Sequence, residues 1–229
     1  MAKRQVNGIT TILFDLDDTL LDSWGARIQA LEDVFKQAEI TGIDPGNFIS
    51  GLQGANFKNV LGELAVERRA QADLFICYRR AYWFNKGRIR LYPGIGEMLE
   101  TLKSRDYKLG IVTNKGRDFE FEGQRIGCLN ELKEVGIAHY FSTIVGFEDV
   151  TEQKPHPEGV KFALHQLCSK PQETLFVGDS AADIGAALNA GCLSCRATWG
   201  TGDDARLPQS LKAHYTVKAP EELLLLDCL

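Results

Sequence analysis

The stretch "TTILFDLDDTLLDS", Thr10 to Ser23, joins a short apolar run to a dense group of carboxylates. Four of the five residues from Ile12 to Leu16 are apolar, and the pattern predicts a buried strand over residues 9–16. The carboxylates at the end of this strand are Asp15, Asp17, Asp18 and Asp22. Like charges at this density repel one another, so the sequence indicates that positive charge is brought against them.

The bulk properties are those of an ordinary globular protein. The chain has 229 residues, enough for one large domain or for a core with a small accessory domain. The formal net charge of -5 disfavours a general nucleic-acid binder, which usually carries a basic surface. No apolar run is long enough to span a bilayer, and the first residues lack the pattern of a signal peptide. We therefore expect a cytoplasmic protein, a monomer or homodimer, with no nucleic-acid or membrane partner.

From about residue 90 onward, strand patterns alternate with helix patterns. Strands are predicted at Tyr107–Thr113, Thr143–Gly146, Thr174–Val177, Leu193–Thr198 and Tyr215–Lys218. Helices are predicted to begin near Pro93 and to cover Phe121–Val135, Pro157–Leu167, Ala182–Ala190 and a closing segment "PEELLLL". Alternation of this kind predicts an α/β fold with a doubly wound, Rossmann-like parallel sheet and helices on both of its faces.

Residues 22–89 interrupt this alternation with helical patterns alone. In the segment Ser23–Ile40, for example, Ile28, Leu31 and Phe35 form one apolar stripe at helical spacing. The interruption is too long for a crossover connection and too helical for a loop. We therefore predict an α/β core built from residues 1–21 and 90–229, with an α-helical cap domain, residues 22–89, inserted after the first strand.

Polar residues collect where the predicted strands end. Ligands of open parallel sheets bind beyond the carboxyl ends of the strands, so these residues are the candidates for a site. They are Asp15, Asp17 and Thr19 after the first strand, Thr113 and Asn114 after the second, Lys154 ahead of a helix, and Asp179, Ser180 and Asp183 in "GDSAAD".

This set of side chains suits phosphoryl transfer. Asp15, Asp17 and Asp179 supply oxygen ligands, which Mg²⁺ prefers, and the cation offsets their repulsion. Lys154 adds positive charge, while Thr113 and Asn114 add donors for phosphate oxygens. One carboxylate can attack phosphorus to give an aspartyl-phosphate, and a second can act as the general acid and base.

Four short motifs resemble those of the haloacid dehalogenase superfamily. "DLDDT" matches D-x-D-x-T, Thr113 matches the second-motif hydroxyl, Lys154 matches the third-motif lysine, and "GDSAAD" matches G-D-x-x-x-D. The resemblance spans nearly the whole chain and is strongest to the phosphoglycolate-phosphatase-like branch, which carries a helical cap at this insertion point. It implies a Rossmann-like core, Mg²⁺ as cofactor and a small phosphorylated metabolite as substrate.

The resemblance also implies a role for each candidate. Asp15 would be the nucleophile and a metal ligand, and Asp17 the general acid and base with its backbone carbonyl on the metal. Asp179 would be the third protein ligand. Thr113, Asn114 and Lys154 would hold the phosphoryl group, and Lys154 would also balance Asp15. Thr19, Ser180 and Asp183 would support these groups: Thr19 by shaping the first loop, and Asp183 by orienting Lys154 or a metal-bound water.

The function implied is a Mg²⁺-dependent phosphatase that hydrolyses a small phosphomonoester, with phosphoglycolate as the single best substrate. A phosphomutase of the β-phosphoglucomutase type would share Asp15 and Asp17. A haloacid dehalogenase is disfavoured because those enzymes lack the second carboxylate, here Asp17. A binding or regulatory protein on an inactive scaffold is disfavoured by the complete set of motifs. The segment 115–130 departs from the family pattern, because it is longer and more polar than the usual short turn into a helix.

Overall fold

The computed structural model describes residues 8–52, 57–85, 87, 89–200, 207–208 and 210–229. Over these residues the chain divides into two compact units. The first unit is formed by Met1–Asp22 together with Arg90–Leu229, and the second by Ser23–Ile89.

The strands belong to the first unit. They are β1 Thr11–Phe14, β2 Leu21–Asp22, β3 Arg90–Leu91, β4 Lys108–Val112, β5 Phe119–Phe121, β6 Gln124–Ile126, β7 Thr143–Val145, β8 Thr174–Gly178, β9 Leu193–Ala197 and β10 Tyr215–Val217. Within the described residues a six-stranded sheet has the order β10-β9-β8-β1-β4-β7, and its neighbouring strands pair in parallel. The predicted doubly wound parallel sheet is therefore confirmed.

The helices flank this sheet or form the second unit. They are α1 Trp24–Gln37, α2 Pro45–Gly51, α3 Phe57–Glu67, α4 Leu74–Asn85, α5 Ile95–Ser104, α6 Cys128–Glu134, α7 Glu158–Gln166, α8 Ala181–Ala190 and α9 Pro220–Leu223. In the part of the chain that is described, none of them combines the length and the apolar character needed to cross a membrane.

The register of the central strands aligns the ends that carry the candidate residues. Phe14 of β1 lies level with Ile111 of β4 on one side and with Val177 of β8 on the other. The side chains of all these residues are buried, as expected for a strand covered on both faces. The loops that follow β1, β4 and β8 therefore start at the same edge of the sheet.

Helices α7 and α8 close one face of the sheet with a continuous apolar core. Leu13 and Phe176 of the sheet share a cluster with Val160 of α7 and Ala187 of α8. The small alanines of α8 allow the helix to pack closely, and Gly191 ends it in the left-handed conformation, with φ of 79°. This packing fixes where α8 begins, and hence the position of the "GDSAAD" residues.

The second unit has a core of its own. Leu31 and Phe35 of α1 pack in one cluster with Leu61 of α3 and Tyr82 of α4. Of the residues described between Ser23 and Ile89, none belongs to a strand, in agreement with the helical patterns of the sequence.

The predicted helix over Phe121–Val135 is wrong in its first half. Strands β5 and β6 form a hairpin there, and helix α6 begins only at Cys128. The turn residues Glu122 and Gly123 both have positive φ, 49° and 76°, which is the geometry of a tight hairpin turn and not of a helix. The unusual segment 115–130 therefore contains the β5–β6 hairpin, which lies between β4 and α6, and the first residues of α6.

Candidate active site

The loop after β1 is held tightly by its backbone. The amide of Asp15 donates to the Val177 carbonyl at 2.8 Å, which extends the pairing of β1 with β8 by one residue. The amides of Leu20 and Leu21 both donate to the Leu16 carbonyl at 2.9 Å. These bonds fold the "DLDDT" residues into a compact turn at the carboxyl end of the central strand.

Lys154 lies at the centre of the candidate site. Its Nζ atom is 2.6 Å from Asp15 Oδ1 and 2.6 Å from Asp183 Oδ1, and the three side chains are buried. Burial, together with the neighbouring Asp183 carboxylate, raises the pKa of Asp15 to about 7. Burial alone would disfavour the ammonium form of Lys154, but the carboxylates of Asp15 and Asp183 outweigh this and raise its pKa.

A group of carboxylates around Lys154 fits a divalent cation. Asp15, Asp179 and Asp183 each offer an oxygen, and these oxygens all lie within 4.8 Å of one another. The group carries more negative charge than Lys154 can balance, and its donors are the hard oxygen atoms that Mg²⁺ prefers. Both oxygens of Asp183 already accept hydrogen bonds: Oδ1 from Lys154, and Oδ2 from the amide and hydroxyl of Ser180 at 2.9 and 2.5 Å. Asp183 therefore supports Lys154 and caps α8, whereas Asp15 and Asp179 are better placed to hold a metal.

The Asp17 side chain points to a different partner. Its Oδ1 atom lies 3.0 Å from Nζ of Lys115, and it is not one of the oxygens in the carboxylate group just described. The Lys115 ammonium also lies 2.7 Å from Oε2 of Glu131 in α6. Sequence reasoning missed both residues, although Lys115 directly follows the predicted site residue Asn114.

Thr113 and Asn114 follow β4 as predicted. The buried Thr113 continues the β4–β7 pairing, because its amide donates to the Val145 carbonyl at 3.0 Å. The Asn114 side chain binds the backbone of Lys154 twice: its Nδ2 donates to the carbonyl, and its Oδ1 accepts from the amide, both at 3.0 Å. Asn114 therefore holds the Lys154 loop, and its contact with phosphate stays a prediction.

Trp199 is a further residue that the sequence did not single out. Its indole N–H donates to the Thr19 carbonyl at 2.8 Å, and the Thr19 hydroxyl donates to Asp179 Oδ1 at 3.4 Å. A side chain at the next position, Gly200, would collide with the Asp18 carbonyl oxygen. The turn after β9 thus packs directly against the first loop and helps to fix its shape.

Comparison with known proteins identifies this arrangement. A family model described as haloacid dehalogenase-like hydrolase matches residues 12–197, which include every candidate site residue. The chain belongs to this family. Its predicted membership is confirmed, as is the prediction that the protein is an enzyme: it is a haloacid dehalogenase-like phosphatase.

Individual relatives of this haloacid dehalogenase-like protein carry phosphatase names. The chain is 30% identical over 222 residues to pyrophosphatase PpaX of Oceanobacillus iheyensis, covering 94% of this chain and 95% of the relative. It is 32% identical over 215 residues to phosphoglycolate phosphatase of Aquifex aeolicus, with coverage of 93% and 94%. Among solved structures, a predicted phosphoglycolate phosphatase from Haemophilus somnus matches with a TM-score of 0.78 and 26% identity, covering 96% of this chain and 98% of that one. The predicted phosphoglycolate-phosphatase-like branch is therefore confirmed.

Proposed function

We propose that the protein is a Mg²⁺-dependent phosphatase that hydrolyses a small phosphomonoester through an aspartyl-phosphate at Asp15. One observation carries the proposal. The Asp15 carboxylate lies at the carboxyl end of the central strand with the Lys154 ammonium 2.6 Å away and the Asp179 carboxylate in the same group. A nucleophile, a cation for the phosphoryl oxygens and a metal ligand are thus within reach of one phosphorus atom.

The proposed reaction has two steps. In the first, one Asp15 oxygen forms a bond to phosphorus, the ester P–O bond breaks, and Asp17 donates a proton to the leaving oxygen. In the second, water attacks phosphorus, Asp17 takes a proton from that water, and the Asp15 carboxylate is released with inorganic phosphate. The active site returns to its starting protonation state at the end of the cycle.

The other residues would bind and stabilise the phosphoryl group. Lys154 would contact its oxygens while balancing Asp15, and Thr113 would donate a hydrogen bond from its hydroxyl. Asp15 and Asp179, with the backbone carbonyl of Asp17, would hold Mg²⁺. When bound, the cation neutralises charge that develops on the transferring phosphoryl oxygens. We further propose that residues 22–89 act as the cap that selects the substrate.

We expect a panel of phosphorylated metabolites to identify phosphoglycolate as a substrate. Pyrophosphate is the second candidate, because the 30% identical relative from Oceanobacillus iheyensis is named a pyrophosphatase. The measurement is kcat/KM from phosphate release, and we expect phosphoglycolate to be preferred by about 10-fold, a difference of about 1.4 kcal/mol in transition-state binding. The reverse ratio would identify a pyrophosphatase, and an isomerised sugar phosphate without released phosphate would identify a mutase. Activity that survives a chelator would favour dehalogenase-type chemistry.

We expect removal of the metal to abolish activity and Asp179→Asn to weaken metal binding. A cation that binds only the folded protein raises its melting temperature, and the rise follows the ratio of Mg²⁺ concentration to Kd. The parent should therefore melt at a higher temperature in Mg²⁺ than in chelator, and Asp179→Asn should lose most of this difference. Asp106→Asn, at an exposed position of the same unit, is the control. An undiminished Mg²⁺ response in Asp179→Asn would contradict its role as a ligand.

A further inference from the structure

A buried ammonium group joins Asp17 to the interior of the protein. Nζ of Lys115 lies 3.0 Å from Asp17 Oδ1 and 2.7 Å from Glu131 Oε2. The exposed fractions of the Lys115 and Glu131 side chains are 11% and 0%. A carboxylate without solvent contact is costly unless a cation pairs with it, so the Lys115 ammonium stabilises the buried Glu131 carboxylate.

The inserted hairpin places this pair. After β4 the chain forms the β5–β6 hairpin and returns to lie beside the residues that precede β5. There the Cys128 amide donates to the Gly116 carbonyl at 2.9 Å, and the Leu129 amide donates to the Arg117 carbonyl at 3.1 Å. Gly127 is required at the crossing, because a side chain there would collide with the Arg117 carbonyl. These bonds bring the first turn of α6, and with it Glu131, next to Lys115.

The segment after β7 holds the other side of the same backbone. The Phe147 amide donates to the Lys115 carbonyl at 2.9 Å. The Glu148 carboxylate accepts from the amides of Arg117 and Asp118 at 2.9 and 2.6 Å. The backbone at Lys115 is therefore fixed by contacts on two sides, and its side chain starts from a defined position.

We infer that Lys115, anchored by Glu131, is a positioning residue that orients the Asp17 carboxylate toward the leaving-group oxygen. The inference rests on the proposed function, in which Asp17 transfers the proton. A carboxylate at the end of a loop can rotate about its side-chain bonds, and general acid catalysis requires it to stay within hydrogen-bond reach of one atom. An ammonium held at one end by a buried carboxylate restricts that rotation. The β5–β6 hairpin thus contributes to catalysis indirectly, because it brings Glu131 next to Lys115.

The test is the double variant Lys115→Met/Glu131→Gln, which removes the charges of Lys115 and Glu131 together, so that the buried Glu131 carboxylate is not left without this cation. We expect kcat for an alkyl phosphate to fall about 10- to 100-fold, the range seen when an orienting partner is lost, with KM changed less than about twofold. The loss should be smaller for p-nitrophenyl phosphate, whose leaving group departs without a proton. Glu131→Gln alone is isosteric and keeps Lys115. Its kcat should fall less than that of the double variant, and again more for the alkyl phosphate than for p-nitrophenyl phosphate. Lys133→Met, exposed on the same helix, is the control.

Two results would overturn the inference. One is a double variant with the kcat of the parent on the alkyl phosphate. The other is an equal loss for the two substrates, because a purely structural ion pair does not distinguish leaving groups. Asp17→Asn, measured in parallel, separates this inference from the proposed function. If Asp17→Asn is inactive while the double variant and Glu131→Gln behave as the parent, only the role of Lys115 fails. If Asp17→Asn is as active as the parent, the proposed acid itself is wrong.

Discussion

Asp15→Asn is expected to abolish hydrolysis and to leave the fold intact. The amide cannot form the bond to phosphorus that the carboxylate forms, so kcat should fall by at least about 10⁴-fold, as when other enzymes lose a nucleophile. The amide has the same shape, and Lys154 keeps its contact with Asp183 at 2.6 Å. Phosphate release from a panel substrate measures the loss. Acid quenching during turnover should trap a phosphoenzyme in the parent and none in the variant.

The same substitution should also change the pH dependence of stability in metal-free protein. Burial and Asp183 raise the pKa of Asp15 from 3.8 to about 7, so between these values the folded state binds more protons than the unfolded state. The parent therefore loses stability through this group as the pH rises from about 4 to about 7. Asp15→Asn has no carboxyl group to ionise at this position, so it does not lose this stability as the pH rises. Its melting temperature at neutral pH should therefore equal or exceed that of the parent.

A matched control for both readouts is Asp22→Asn, seven residues along the chain at an exposed position of β2. It should retain the activity of the parent and its melting profile. The nucleophile assignment would be rejected if Asp15→Asn hydrolysed a generic aryl phosphate as fast as the parent does.

The central sheet could be predicted because its signals are local. The apolar run of β1 ends abruptly at Asp15, and that of β8 ends at Gly178, so each strand and its terminus can be found from neighbouring residues alone. Parallel pairing then brings the polar residues after each strand to one edge. The ion pairs of Lys154 with Asp15 and Asp183 are implied by the family resemblance and not by strand pairing, because Lys154 lies in the loop ahead of α7.

The contacts of Asp17 could not be predicted, because they depend on residues that are distant in the sequence and are brought together by the fold. Lys115 and Glu131 meet only because the β5–β6 hairpin folds back on itself, whereas the sequence pattern predicts a helix over the second half of that hairpin. A local signal did exist: "FEF" alternates apolar and polar residues as a short strand does, and Glu122 and Gly123 after it suit a turn. The helical spacing of the following residues masked it.

Lys154→Met should produce the largest combined loss of activity and stability. The substitution removes the cation that would contact the phosphoryl group, and it leaves Asp15 and Asp183 close together in the interior with their shared partner gone. Breaking a buried ion pair by removing one member costs roughly 3–5 kcal/mol, because the remaining charge is uncompensated. Urea unfolding in chelator measures this cost, and phosphate release measures the activity, which should fall below detection.

The surface pair of Lys170 and Glu173 provides the comparison for Lys154→Met. Lys170 Nζ lies 3.2 Å from Glu173 Oε1, but 74% of the lysine side chain is exposed, so Lys170→Met should cost no more than about 1 kcal/mol and leave kcat unchanged. Mg²⁺ should restore more stability to Lys154→Met than to the parent, because the cation binds to carboxylates that have lost their lysine. Equal unfolding free energies for the two methionine variants in chelator would contradict the buried charge network. Activity retained in Lys154→Met would contradict the role of Lys154 in binding the phosphoryl group.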